Sequence, residues 1–285
     1  MRSTPTPAEI ATYRRDGFVV IADFLTPAET CELAAATAEA VARLGASKLA
    51  GGDWQEGDGY YDQVFLQRIN LWKLSETVKR YMLGPQFGRF AAELAGVERL
   101  RCYHDQTLQK QPWANPTAWH LDDPYWPFST RDAISTWVAL DDATYENGCL
   151  YFLPGSHRMV DFRGPGIDVN MAALFAMYPE LASIEPVAAP MRAGSASFHN
   201  GLTAHGAGAN MTPRWRRAMT AAYFPDGATY NGQAGILPPA YAATLSPGDV
   251  LEHASELPIV HDAASIRETA ATRGAAFAQS ETPRA

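Results

Sequence analysis

The sequence predicts a mainly β protein, an antiparallel barrel or sandwich with α-helices packed against its outside. Helical patterning dominates residues 1–97, and short strand-like runs separated by turns follow without strand–helix alternation. Gly (22) and Pro (20) are spread along all 285 residues, as many turns and short elements require.

Residues 7–16 read as a helix, with Thr6 as N-cap and Gly17 as stop. Phe18-Val19-Val20-Ile21 is a β-rich run. Thr26-Pro27-Ala28-Glu29 puts Pro at the first helical position and an acid in the first turn, and Ala-rich residues 30–44 continue that helix to Gly45. Residues 46–70 interleave Gly51, Gly52, Gly57 and Gly59 with Trp54, Tyr60, Tyr61 and Phe65. That loop is expected to act as a lid or pocket wall, the alternative being a surface loop anchored by its aromatics. Helical pattern returns over residues 75–96 through Val78, Tyr81, Met82, Phe87, Phe90 and Leu94. Strands are expected at residues 99–110, 133–140, 149–153, 196–199 and 217–224, with a turn or two of helix within 171–178. The Ala-, Ser- and Thr-rich tail from Asp262 suits a frayed helix or disorder. The expected organisation is one domain over residues 1–285: helical support and lid to 97, a core over 98–225 carrying the site, a closing segment over 226–261, and a flexible tail over 262–285.

The net charge of −8 and the lack of a concentrated basic patch argue against nucleic acid or an anionic membrane as partner. No run approaches the roughly 20 apolar residues of a membrane span. Cys31, Cys102 and Cys149 form no CxxC pair, and no signal-like apolar stretch follows Met1, so a reducing cytoplasm is the expected setting. A monomer or homodimer is expected.

The chemistry concentrates in Trp119-His120-Leu121-Asp122, Ala204-His205-Gly206 and Arg216. Two imidazoles and one carboxylate are the minimal set that holds a non-haem Fe(II) on one face and leaves the other open. In an extended segment, His120 and Asp122 point to the same side. Small neighbours around His205 allow close backbone approach, and Arg216 follows 11 positions later, within reach of a neighbouring strand. A buried Arg there suits the carboxylate of an organic co-substrate. His157 reads as a loop residue and His199 as a strand residue in the core or supporting the ligands, while His104, His253 and His261 read as structural.

These residues, with Trp137, Asn147-Gly148-Cys149-Leu150, Leu153-Pro154-Gly155-Ser156-His157 and His205-Gly206-Ala207-Gly208-Ala209-Asn210, resemble the phytanoyl-CoA dioxygenase family. The resemblance runs from about Asp16 to Phe224 and is most specific over residues 119–157 and 199–224. It implies a double-stranded β-helix (jelly-roll, cupin-like) core and an Fe(II)- and 2-oxoglutarate-dependent dioxygenase using O₂. On that resemblance His120, Asp122 and His205 are the iron ligands and Arg216 holds the distal carboxylate of 2-oxoglutarate. Trp137 lies against the co-substrate, and Gln109 or Lys110 adds a polar contact to it. The retained Asp122 implies hydroxylation over halogenation, with succinate and CO₂ released, and leaves desaturation, cyclisation and epimerisation open as alternatives. Leu121 stands where many members have Gln, which removes one polar contact near the substrate.

The substrate is expected to be a small molecule, secondary-metabolite-like or amino-acid-derived, against Tyr125, Trp126, Tyr61 and Trp72, with Trp54 and Tyr60 adding aromatic wall. The acidic balance disfavours a CoA thioester. Two other classes stand beside this one: a cupin-like metalloenzyme that uses no 2-oxo acid, and a non-catalytic β-helix binding protein.

Overall fold

The computed structural model describes residues 1–52 and 60–265. Capping boxes open both of the first long helices. In α1 (Pro7–Asp16) the Thr6 hydroxyl accepts from the Glu9 N–H while the Glu9 carboxylate reaches back to the Thr6 N–H, and Thr26 with Glu29 repeats this for α2 (Pro27–Leu44). Gly17, left-handed at φ 82°, stops α1 and turns the chain into β1 (Phe18–Ile21). Residues 46–70 are more than a loop: they contain α3 (Tyr60–Val64) and β2 (Leu66–Ile69), whose alternation the Gly- and Tyr-rich flanks conceal. Trp54, one basis of the lid expectation, lies outside the described residues. The helical stretch of residues 75–96 is two helices, α4 (Glu76–Met82) and α5 (Pro85–Ala95), because Pro85 cannot donate into a continuing helix and starts a new one.

The strands follow: β3 (Arg99–Lys110), β4 (Thr117–His120), β5 (Ile134–Ala139), β6 (Leu150–Phe152), β7 (Val187–Ala189), β8 (Ala196–Asn200), β9 (His205–Ala207), β10 (Arg216–Pro225) and β11 (Ile259–Asp262). Two short helices interrupt them, α6 (Ala173–Met177) and α7 (Pro239–Ala242). The larger sheet runs β1-β8-β5-β10-β3-β11, with β2 also on β3, and the smaller runs β4-β9-β6-β7. All these pairings are antiparallel, and the sheets wall one cavity between them, as in the double-stranded β-helix expected from sequence. β4, β7 and β9 have three or four residues each, too few for a period-two signal.

The outer face of the larger sheet packs on the helices. Leu33 of α2, Val78 of α4 and Phe87 and Phe90 of α5 share one buried cluster with Ile134, Val138, Phe198, Met219 and Tyr223. Phe90 stacks on Phe198 with centroids 5.0 Å apart. That burial fixes the sheet's orientation and turns the alternate residues of the same strands inward.

Candidate active site

The inward residues meet in a cavity of about 670 Å³ between the sheets. His120 ends β4 and His205 begins β9, and the two are direct register partners, so their rings lie 4.1 Å apart. Gly206 has a steric cause: a Cβ there would stand 2.9 Å from the Thr117 carbonyl oxygen of β4, closer than real Cβ contacts allow. Asp122 is not on an extended segment. β4 stops at His120, and the chain turns so that the Asp122 and Asp123 N–H groups both donate to the Gly201 carbonyl. The turn, in place of strand alternation, carries the carboxylate back toward the imidazoles.

The ligand atoms of His120, Asp122 and His205 lie within 4.8 Å of one another. Asp122 Oδ1 is 3.7 Å from Nε2 of each histidine. His120 Nδ1 lies 2.8 Å from the Ala118 carbonyl oxygen and His205 Nδ1 lies 3.0 Å from that of Thr203. A carbonyl only accepts, so each Nδ1 carries the proton and each Nε2 presents a bare lone pair. Burial lowers the pKa of both imidazoles and keeps them neutral. Burial alone would raise the Asp122 carboxyl, but the hydrogen bond from His199 offsets it, and the carboxyl is held well below the usual carboxylate range. Two neutral nitrogens and a carboxylate, converging and deprotonated, fit a divalent iron.

Arg216 opens β10 and is only 1 % exposed, yet its Nε and Nη1 have no hydrogen-bond partner among the described residues. Its guanidinium stands 5.1 Å from the Trp137 ring centroid, and burial pushes its pKa down to about 10. Arg217, one residue on, faces the other way and pairs with Asp141 at 2.6 Å. A buried guanidinium with open donors on a cavity wall is built for a carboxylate brought by a ligand. Thr117 and Thr220 also line the cavity with unpartnered hydroxyls.

Of the other expected residues, Trp137, Tyr61, Tyr125 and Trp126 line the cavity. Tyr60 instead donates its hydroxyl to the Pro116 carbonyl. Gln109 and Trp72 are corrections. Gln109 falls on the outward alternation of β3 and donates its amide to the Thr107 hydroxyl. Trp72 packs against the helical core and donates to Asn70 at 3.3 Å. Lys110 is opposite Arg216 in register but is not in the cavity wall, because its ammonium donates to the Asn115 carbonyl at 2.5 Å. Burial, and then Arg216, pushes the Lys110 pKa down to about 6. His104, read as structural, instead lines the cavity beside Tyr103. Sequence spacing missed His104, Ser135 and Thr220 because each is ordinary in its own strand; only the alternation of β3, β5 and β10 turns them inward.

Residues 13–218 match the family model described as phytanoyl-CoA dioxygenase. A methylphosphonate hydroxylase of Gimesia maris is 27 % identical over 233 residues, covering 78 % of this chain and 82 % of that protein. The epimerase SnoN, solved in complex with Fe3+, alpha ketoglutarate and nogalamycin RO, superposes with a TM-score of 0.74 at 30 % identity over 89 % of this chain and 98 % of its own. The carbocyclase SnoK from nogalamycin biosynthesis gives a TM-score of 0.72 at 27 % identity over 91 % of this chain and 99 % of its own. The chain belongs to the phytanoyl-CoA dioxygenase family, and is a non-haem Fe(II)- and 2-oxoglutarate-dependent oxygenase that uses O₂.

Proposed function

We propose that this member of the phytanoyl-CoA dioxygenase family hydroxylates an uncharged small molecule, with iron held by His120, Asp122 and His205 and 2-oxoglutarate anchored by Arg216. The observation that carries this reading is the pairing of a deprotonated His–Asp–His cluster with an unpartnered, buried guanidinium on the wall of one cavity. When bound, iron and 2-oxoglutarate supply the oxidising power. One atom of O₂ enters a substrate C–H bond as hydroxyl, the other enters succinate, and C1 of the 2-oxo acid leaves as CO₂. The protein contributes position and dryness. Arg216 takes the distal carboxylate, Trp137 backs the guanidinium, and Tyr61, Tyr125 and Trp126 wall the substrate side.

The charge class follows from the cations facing the cavity. Arg216 is committed to the co-substrate, and Lys48 already pairs with the Asp62 carboxylate. Burial lowers the pKa of His104 to about 4, so its ring is neutral at pH 7. Among the described residues, a phosphonate or a CoA thioester would bring charge with no partner, whereas a secondary-metabolite-like or amino-acid-derived molecule of no net charge finds aromatic surface. Among the described residues no helix is long and apolar enough to cross a membrane. Three free cysteines suit a reducing cytoplasm, with the protein acting as a monomer or homodimer of a single domain.

Anaerobic addition of 2-oxoglutarate to the Fe(II)-loaded protein should produce a weak visible charge-transfer band. A folded, iron-loaded protein without that band would falsify the assignment. His205→Ala should abolish it, since two ligands hold iron poorly in a site built for three. A second outcome of the same oxidation is favoured by the names of the structural neighbours, an epimerase and a carbocyclase. Labelling with ¹⁸O₂ separates the two: hydroxylation leaves label in the product alcohol, and epimerisation or ring closure leaves it only in succinate and water.

A further inference from the structure

The Asp122 carboxylate is restrained on the side away from the two imidazoles. Ser135 of β5 and His199 of β8 are direct register partners on the inward face of the larger sheet. Both reach the same carboxylate oxygen: the Ser135 hydroxyl donates to Oδ2 at 2.6 Å, and His199 Nε2 lies 3.1 Å from it. The other oxygen, Oδ1, is the one turned toward Nε2 of His120 and His205. Because an ionised carboxylate only accepts, His199 must carry its proton on Nε2, leaving Nδ1 as the acceptor. That Nδ1 is buried and has no partner among the described residues. An orphaned buried acceptor costs about 1–3 kcal/mol, so the ring is not oriented to satisfy itself. Its orientation serves Asp122.

We propose that Ser135 and His199 are positioning residues that make Asp122 a one-oxygen ligand, occupying Oδ2 with two donors so that Oδ1 alone faces the metal. Carboxylates bind metals through one oxygen or both. A freely rotating Asp122 would chelate through both oxygens and take up a position that the 2-oxo acid or O₂ requires. The register pair prevents this by holding the carboxylate plane from behind. The sheet that carries the cavity wall therefore also sets how many positions the metal keeps open. This inference rests on the ligand assignment above.

The test uses Co(II) as a spectroscopic substitute for iron in the full-length protein, with Ser135→Ala, His199→Phe and the double variant. Ser135→Ala removes a single oxygen and is expected to keep the metal-free melting temperature. Each single variant should lose about 10- to 100-fold in Co(II) affinity. Its visible Co(II) spectrum should also change in intensity, reporting a changed coordination number, and 2-oxoglutarate should bind the loaded protein more weakly. Ser135→Thr and His199→Gln, which restore a donor, should recover most of the affinity and the parent spectrum. A purely structural role would move the melting temperature and leave the spectrum unchanged. Co(II) binding within twofold of the parent with an unaltered spectrum in Ser135→Ala and the double variant overturns the proposal. Should the double variant fail to fold, Ser135→Ala alone decides. A parent protein that binds neither Co(II) nor Fe(II) would instead overturn the ligand assignment, so the two failures are distinct.

Discussion

The two faces of the larger sheet are made by the same strands and have opposite chemistry. Outward, Ile134, Val138, Phe198, Met219 and Tyr223 pack into the helical core. Inward, Ser135, Trp137, His199, Arg216 and Thr220 line the cavity, and most carry at least one polar atom without a protein partner. Neighbours in sequence serve different ends: Phe198 packs in the core, and His199 reaches the Asp122 carboxylate. The period of two in a strand therefore separates stability from chemistry within one segment. The two should be separable by mutation.

The largest effect is expected on the inner face. Arg216→Ala should leave Fe(II) binding intact and weaken 2-oxoglutarate by at least about 30-fold, since losing one partner of a buried charge pair costs roughly 2–5 kcal/mol. Titrating 2-oxoglutarate into the iron-loaded variant measures this. An affinity within threefold of the parent would assign the carboxylate to another residue. The metal-free variant should be no less stable than the parent, because it no longer buries an uncompensated cation.

On the outer face the signs reverse. Phe198 is fully buried between Phe24 and Phe90. Phe198→Ala should cost about 3–5 kcal/mol in denaturant unfolding, while the folded fraction keeps parental metal affinity. If metal affinity falls in proportion to stability, the two faces are coupled and the contrast fails.

A smaller effect concerns pH. Asp105, buried on β3 beneath the chain at Leu71 and Trp72, has its pKa raised from 3.8 to about 7, chiefly by burial, against the lowering effect of the Trp72 and Leu71 N–H groups. The folded protein thus keeps this proton where the unfolded chain has released it. The stabilising contribution is full below about pH 4 and is lost as pH rises through about 7. Asp105→Asn cannot titrate. Metal-free melting at pH 4.5 and 7.5 should show the parent losing ground to the variant at the higher pH. A gap independent of pH would mean that Asp105 titrates normally.

The smallest change is expected at Thr220, whose buried hydroxyl lacks a partner among the described residues. Thr220→Val should alter stability by less than about 1 kcal/mol, in the stabilising direction, and a loss above that would reveal a hydrogen bond made by the hydroxyl.

Local chemistry made much of this protein legible in its sequence. The Thr6–Glu9 and Thr26–Glu29 capping boxes mark helix starts because their hydrogen bonds close within four residues. The long strands β3 and β10 are visible in their composition. The His120, Asp122, His205 and Arg216 set could be read from residue type and spacing, and its members converge in the structure. Tertiary structure alone decided the rest. It gave Arg217 a partner in Asp141 on the other side of β10 and left Arg216 facing the cavity. It turned Gln109 and Trp72 away from the cavity and brought His104 into it. It set Ser135 beside His199 so that both meet Asp122. Register joins strands far apart in the chain, and it is fixed by which face each strand must bury. No local window contains that information, so the sequence by itself determined the parts and the candidate ligand set, and the packed sheet decided what surrounds them.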